Sequence, residues 1–140
     1  MIQQGACTIF KVNLLDGNED FSATTTYTYK IALYTANANL GPQTTAYTSD
    51  GEITGTGYTA TGEDLTLIPA TSDNSTVGYI SFDNVTWDPA NFTARGALIY
   101  NGTTGAAVCV LDFGSDKTAT STFTVTFPTA NSTNAIIRLN

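Results

Sequence analysis

After the first twenty residues, apolar and polar residues alternate along the chain with a period of two. Such alternation is typical of β-strands that bury one face and expose the other to water. The clearest example lies near the end of the chain, where Phe123, Val125 and Phe127 alternate with threonines. The pattern predicts strands at residues 27–35, 64–68, 77–83, 92–101, 106–113, 122–127 and 135–139; the runs 92–101 and 106–113 are more continuously apolar, as expected for strands covered on both faces.

Turn-forming residues separate the predicted strands. Asn101 and Gly102, followed by Gly105, lie between two apolar runs and predict a β-hairpin. Pro89 and Pro128 follow apolar runs at points where a proline removes a ladder N–H, so we expect strands to end there. Many short strands with such turns predict a mostly β protein. We expect an antiparallel, jelly-roll-like β-sandwich that forms a single domain over residues 1–140.

The N-terminal segment, residues 1–20, does not follow this alternation. Its apolar residues between positions 6 and 15 fit neither the strand period nor the helix period well. We favour a short helix over a strand for residues 6–15, ended by Asp16 and Gly17. A second helical turn is an alternative for residues 42–47.

Charge is scarce and mostly negative. The chain has five Lys and Arg residues against twelve Asp and Glu residues, a net charge of −7, and no histidine. Charged residues make up 12% of the chain, about half of the usual ~25%, and Thr, Asn, Ser and Gly supply the polarity instead. The few scattered cations predict no binding to nucleic acid and no docking on anionic membranes. The absence of histidine excludes Ser-His-Asp and Cys-His catalysis and histidine zinc sites.

Acidic patterns do not predict a site. Asp16, Asn18 and Asp20 resemble the first half of a calcium loop, but Phe21 and Tyr27 stand where that loop needs Gly and Glu. The acids that a glycosidase would pair lie mostly in turns or at strand ends, where carboxylates face water. We therefore predict a protein that is not an enzyme, with no catalytic residue, no cofactor and no metal ligand. The acids considered are Glu63, Asp64, Asp83, Asp88, Asp112 and Asp116.

Four other residues have two interpretations each. Cys7 and Cys109 could form a disulfide, but we favour buried free thiols, because Cys109 lies within an apolar run. Arg95 lies in a mostly apolar strand, so we predict a pair with an acid such as Asp112, with an intersubunit contact as the alternative. Trp87 is predicted to be a core residue at the sandwich edge, with an interface anchor as the alternative.

The chain resembles a group of small tailed-bacteriophage virion proteins. The resemblance rests on the order of several segments: Ile-Ala-Leu-Tyr-Thr at 31–35, Leu-Gly at 40–41, Thr-Thr-Ala-Tyr-Thr at 44–48 and the glycine-rich stretch 55–62. It continues through Phe-Thr-Ala-Arg-Gly-Ala-Leu-Ile-Tyr-Asn at 92–101, Val-Leu-Asp-Phe-Gly-Ser-Asp-Lys at 110–117, Phe-Thr-Val-Thr-Phe-Pro at 123–128 and Asn-Ala-Ile-Ile-Arg at 134–138.

The resemblance implies a capsid decoration, or cement, protein on the outer surface of the phage head. Its expected partners are the major capsid protein and further copies of itself, as a homodimer or homotrimer. A tail, neck or fibre component and a carbohydrate-binding module are the alternatives. Residues 1–4 do not resemble an export signal, so we expect synthesis in the bacterial host cytoplasm. The residues predicted to contact a partner are Ile2, Gln3, Gln4, Trp87 and Arg95.

Overall fold

The computed structural model describes all residues, 1–140, as ten β-strands and one α-helix. The helix is α1 (Thr8–Leu15), and the strands are β1 (Gly5–Ala6), β2 (Tyr29–Tyr34), β3 (Glu63–Leu65), β4 (Leu67–Thr71), β5 (Gly78–Phe82), β6 (Val85–Trp87), β7 (Phe92–Asn101), β8 (Ala107–Ala119), β9 (Phe123–Val125) and β10 (Ile137–Leu139).

The strands form three antiparallel sheets. The largest has five strands in the order β1-β8-β7-β2-β3, a second has the order β10-β5-β4, and a third contains β6 and β9. The predicted mostly β, antiparallel fold with a short N-terminal helix is therefore confirmed. The strand order does not show a jelly-roll topology.

Most of the predicted strands match observed ones, with three differences. The predicted strand 64–68 is two strands, since β3 belongs to the five-stranded sheet and β4 to the three-stranded sheet. The strands β1 and β6 were not predicted, because two or three residues are too short to show a period. The strand β8 continues six residues past the predicted end, to Ala119.

The five-stranded sheet is covered on both faces, as the continuous apolar runs predict. On one face, Tyr29 contacts Phe82 of the three-stranded sheet, with ring centroids 6.0 Å apart. On the other face, Tyr100 stacks on Tyr47 of the long loop 35–62, with centroids 5.1 Å apart. Because both faces of the sheet are covered by other parts of the protein, Ile31, Leu98 and their neighbours on the inner strands are fully buried.

The carboxylate of Glu52 holds the loop 35–62 in place. It accepts hydrogen bonds from the Tyr47 hydroxyl (2.6 Å), the Tyr58 hydroxyl (2.7 Å) and the Thr61 backbone N–H (2.8 Å). The Tyr58 hydroxyl also accepts a hydrogen bond from the Leu33 N–H at 2.9 Å. Burial, and then the Glu52 carboxylate, raise the pKa of Tyr47 to about 12. The loop is therefore bound to β2 by a network in which every oxygen of the carboxylate has a donor.

The helix α1 ends where the sequence predicts, at Asp16 and Gly17, whose φ is +75°. Its buried residue Phe10 packs edge-on against Phe21, with centroids 5.9 Å apart. The alternative of a helical turn at 42–47 is wrong, because this segment is a short turn that leads into an extended bridge between Ala46 and Ala106.

Both cysteines are buried free thiols, which confirms the favoured interpretation. The Cys7 thiol donates to the Gly41 carbonyl at 3.8 Å, whereas Cys109 lies opposite Ala6 in the β1–β8 ladder. Burial raises the pKa of Cys7 to about 11 and that of Cys109 to about 12. Neither thiolate is therefore populated near neutral pH.

Glu19 is a buried acid in the loop between α1 and β2, with 8% of its surface exposed. Its Oε2 accepts hydrogen bonds from the Tyr29 hydroxyl (2.7 Å) and the Asn101 amide (3.2 Å), but its buried Oε1 has no partner. Burial raises the pKa of the Glu19 carboxyl above its ordinary value, although both hydrogen bonds act to lower it. The folded protein therefore binds a proton at Glu19 more tightly than the unfolded chain does.

This burial predicts a specific effect of Glu19→Gln on stability. Proton binding at Glu19 stabilises the folded protein fully below the pKa of Glu19 in the unfolded chain, about 4.3. This stabilisation is lost as the pH rises through the higher pKa that Glu19 has in the folded protein. A neutral amide avoids this loss, so Glu19→Gln should raise the free energy of unfolding at pH 7 and change it much less near pH 4. Urea unfolding at both pH values measures this, with the exposed Glu63→Gln as control. A gain that is the same at both pH values would contradict it.

Candidate partner-binding surface

The N-terminal segment, predicted to contact a partner, lies against the body of the protein. The N-terminal ammonium of Met1 donates to the Ala38 carbonyl at 2.9 Å, and the Gln3 N–H donates to the Leu40 carbonyl at 2.8 Å. Ile2 is buried, and its side chain fills the space above Gly96. The segment is therefore not a free arm: Ile2 is a core residue, while Gln3 and Gln4 are exposed beside it.

Gln4 and Arg95 meet at the same acid. The Gln4 Oε1 accepts a hydrogen bond from the Asp112 N–H at 3.1 Å, and Arg95 Nε lies 3.3 Å from Asp112 Oδ1. The predicted pairing of Arg95 with Asp112 is thus confirmed. The Gly114 N–H, followed by Arg95, lowers the pKa of Asp112 below its ordinary value. About a third of the Arg95 side chain (34%) is exposed, so its guanidinium is accessible at this surface.

A bulge explains why a half-exposed arginine lies within a buried strand. Ala94 pairs with Lys117 and Gly96 pairs with Asp112, so Arg95 alone stands opposite residues 113–116 of β8. The extra residues loop out at Gly114, which has a φ of +81°. Such bulges redirect a side chain and interrupt pairing at a sheet edge. The bulge therefore turns the Arg95–Asp112 pair toward the N-terminal segment.

Trp87 lies apart from these residues and inside the protein. Its ring packs against Tyr58, Phe92 and Phe123, with centroid distances between 6.0 and 6.4 Å, and only 2% of the residue is exposed. The indole N–H has no hydrogen-bond partner. This placement favours the core interpretation of Trp87, because the ring is not available for a partner to cover.

Two surface depressions flank the N-terminal segment. A polar depression of about 500 Å³ is lined by Met1, Gln3 and residues 39–46 and 48, and only three of its eleven lining residues are apolar. An apolar groove of about 530 Å³ is lined by ten apolar residues out of fifteen. Its walls are residues 4–6, 109–111, 113, 125–128 and 135–138.

The sequence predicts partner contacts at the N-terminal segment and Arg95 but does not predict the apolar groove. Its walls come from four separate parts of the chain, and only the tertiary structure brings them together. The one available signal is the apolar run at 135–139, which the sequence predicts as a strand.

No group of three or more His, Cys, Asp and Glu side chains is placed to hold an ion. The Asp20 carboxylate accepts a hydrogen bond from the Ser22 N–H at 2.9 Å, as acids in turns commonly do. The structure contains one helix, of eight residues, and no helix in it is long and apolar enough to cross a bilayer.

Comparisons with protein-family models, curated proteins and solved structures find no match to this chain. Any statement about its function therefore depends on the geometry of the surface around the N-terminal segment and on the resemblance of the sequence segments described above.

Proposed function

We propose that this protein is a structural component of a tailed-bacteriophage virion, a capsid decoration protein that binds the outer head surface and stabilises contacts between major capsid protein subunits. The observation that carries the proposal is the surface around the N-terminal segment. There, an accessible Arg95 and the exposed Gln3 and Gln4 lie beside a polar depression and an apolar groove of about 500 and 530 Å³.

A decoration protein acts by adhesion. Contacts made by this surface use shape, hydroxyl and amide hydrogen bonds and apolar side chains, because charged residues are only 12% of the chain. Each copy adds a few kcal/mol to a boundary between subunits, and the repetition of the shell multiplies that gain. Binding of this kind should depend only weakly on salt.

The fold we propose for this role is a jelly-roll-like β-sandwich that forms a homodimer or homotrimer on the shell. The contact of the five-stranded sheet with the three-stranded sheet supports a layered arrangement, for example Tyr29 with Phe82. The buried Trp87 cannot stack on a sugar, which counts against the carbohydrate-binding alternative.

Cryo-electron microscopy of phage particles that carry the protein tests the location. We expect on the order of hundreds of copies on the head, because decoration follows the repetition of the shell. Particles stripped of the protein should stay assembled but lose resistance to heat. Six or twelve copies at the tail would instead favour a tail, neck or fibre component, and absence from the particle would refute the proposal.

Two matched variants test the surface. We expect Arg95→Gln to weaken binding to stripped heads at least about tenfold, because accessible arginines at interfaces are frequent hot spots. Lys30→Gln is the control, since Lys30 also pairs with an acid across a strand, Asp64, at 3.0 Å, whereas it is the partner of Arg95, Asp112, that is hydrogen-bonded to Gln4 of the N-terminal segment. Binding is measured by co-sedimentation of the protein with the heads. Equal affinities of the two variants would contradict a contact at Arg95.

A further inference from the structure

The apolar groove adjoins a second, smaller groove of about 380 Å³. The two share Phe113, Val125 and Thr126 as lining residues and are together called the β8–β9 groove. The ring of Phe113 lies between the two parts, 6.1 Å from that of Phe123, and is only half-buried. Apolar residues make up ten of the fifteen lining residues of the larger part and four of the nine of the smaller part.

The strands that border the β8–β9 groove have free edges. The outer edge of β8 pairs with β1 only at Cys109 and Val110, and β9 pairs only with β6. Beyond Val110, the Asp112 N–H donates to the Gln4 side chain and the Gly114 N–H donates to the Asp112 carboxylate, so the free part of this edge lies around these two residues. Free strand edges offer backbone donors and acceptors that an extended peptide can pair with.

The charged residues along the groove are positive, although the net charge of the protein is negative. The chain has twelve acids and five bases, yet no Asp or Glu lines either part of the groove. The only charged lining residues are Arg138, in the larger part, and Lys117, in the smaller part. Neither forms an ion pair, whereas Lys30 and Arg95 do. Each part of the groove thus presents one cation without an ion pair, although the Arg138 guanidinium donates a hydrogen bond to the Ser132 carbonyl at 3.1 Å.

We propose that the β8–β9 groove binds an extended segment of another protein, with apolar side chains along its middle and an acidic residue near each end. The free edges favour a polypeptide over a lipid chain, because a lipid has no groups to pair with backbone N–H and C=O. A second copy docked groove to groove would bring the same two cations and no acid, so charge repulsion disfavours a symmetric pair through this groove. The inference does not depend on the partner being a capsid protein.

Two synthetic peptides of about ten residues test the proposal, since a strand of this length spans such a groove. Both are capped and alternate valine with threonine; one has glutamate at each end and the other has lysine. We expect the glutamate peptide to bind at least about tenfold more tightly, measured by fluorescence anisotropy at low salt. The difference should shrink near 0.15 M salt, where the screening length is about 8 Å. Equal affinities, or no binding of either peptide, would refute the proposal.

Variants link the binding to the groove. The double variant Lys117→Gln and Arg138→Gln should abolish the preference for the glutamate peptide, and Phe113→Ser should weaken the binding of both peptides. Lys11→Gln is the control, because Lys11 is an exposed cation on α1 outside the groove and without an ion pair. An equal effect of Lys11→Gln would refute the assignment.

Two further outcomes separate this inference from the proposed function. Dimerisation of the protein through the groove, lost in Phe113→Ser, would show that a second copy occupies it and would overturn the inference. Peptide binding by a protein that does not bind phage heads would support the inference while refuting the decoration role. Thermal melting of each variant confirms that loss of binding does not come from unfolding.

Discussion

Replacing Gly62 with alanine should lower the free energy of unfolding by about 4 kcal/mol or more, among the largest effects of a single substitution in this protein. Gly62 has a φ of +80° and lies directly against the central strand β2. A Cβ at this position would lie 1.8 Å from the Ile31 carbonyl oxygen. Because Ile31 is fully buried between two covered faces, the strand has no room to move away.

The matched control is Gly105→Ala. Gly105 has nearly the same φ, +83°, but no atom lies within 4 Å of the point that a Cβ would occupy. We therefore expect a cost of only about 1 kcal/mol there, from the left-handed backbone alone. Urea unfolding of both variants separates the cost of the steric clash at Gly62 from the cost of the left-handed backbone. Similar losses for Gly62→Ala and Gly105→Ala would show that β2 adjusts and would contradict the prediction.

Replacing Trp87 with alanine should cost about 3–5 kcal/mol, the usual range for a buried aromatic. The ring holds together three parts of the protein, because it contacts Tyr58 of the long loop, Phe92 of β7 and Phe123 of β9. Removing it leaves a cavity whose walls are themselves rigid aromatic rings. Chemical unfolding and the melting temperature measure the loss.

Trp87→Phe is the informative control. The indole N–H has no hydrogen-bond partner, so phenylalanine loses volume but no hydrogen bond. We expect it to cost about 1–1.5 kcal/mol, well below the alanine variant. If Trp87→Ala instead left stability unchanged and abolished binding to a partner, the interface-anchor interpretation of Trp87 would be correct and the core interpretation wrong.

The parts of the fold that could be predicted are those with a strong local signal. The β7–β8 hairpin follows from two long apolar runs around Asn101 and Gly102, and the end of α1 follows from Asp16 and Gly17. The pairing of Arg95 with Asp112 also followed from local reasoning, because a cation in an apolar strand needs a partner. Each of these depends on neighbouring residues or on one strand pairing.

The parts that failed depend on distant residues. The predicted strand 64–68 divides between two sheets at Thr66, and no periodicity in five residues can reveal such a change of partner. The burial of Ile2 above Gly96, a glycine whose lack of a side chain leaves the space that Ile2 fills, was likewise not predicted. That complementarity exists only once β7 and the N-terminal segment are packed together.

The sequence by itself determined that this chain forms antiparallel strands with a short N-terminal helix, because side-chain alternation and turn residues act over a few positions. It also determined the low fraction of charged residues, 12% of the chain. Only the tertiary structure decided that the cations Lys117 and Arg138 line an uncovered apolar groove without an acid. The physical reason is that a groove is made by the gap between strands, and the partners of each strand edge are chosen by packing across the whole molecule.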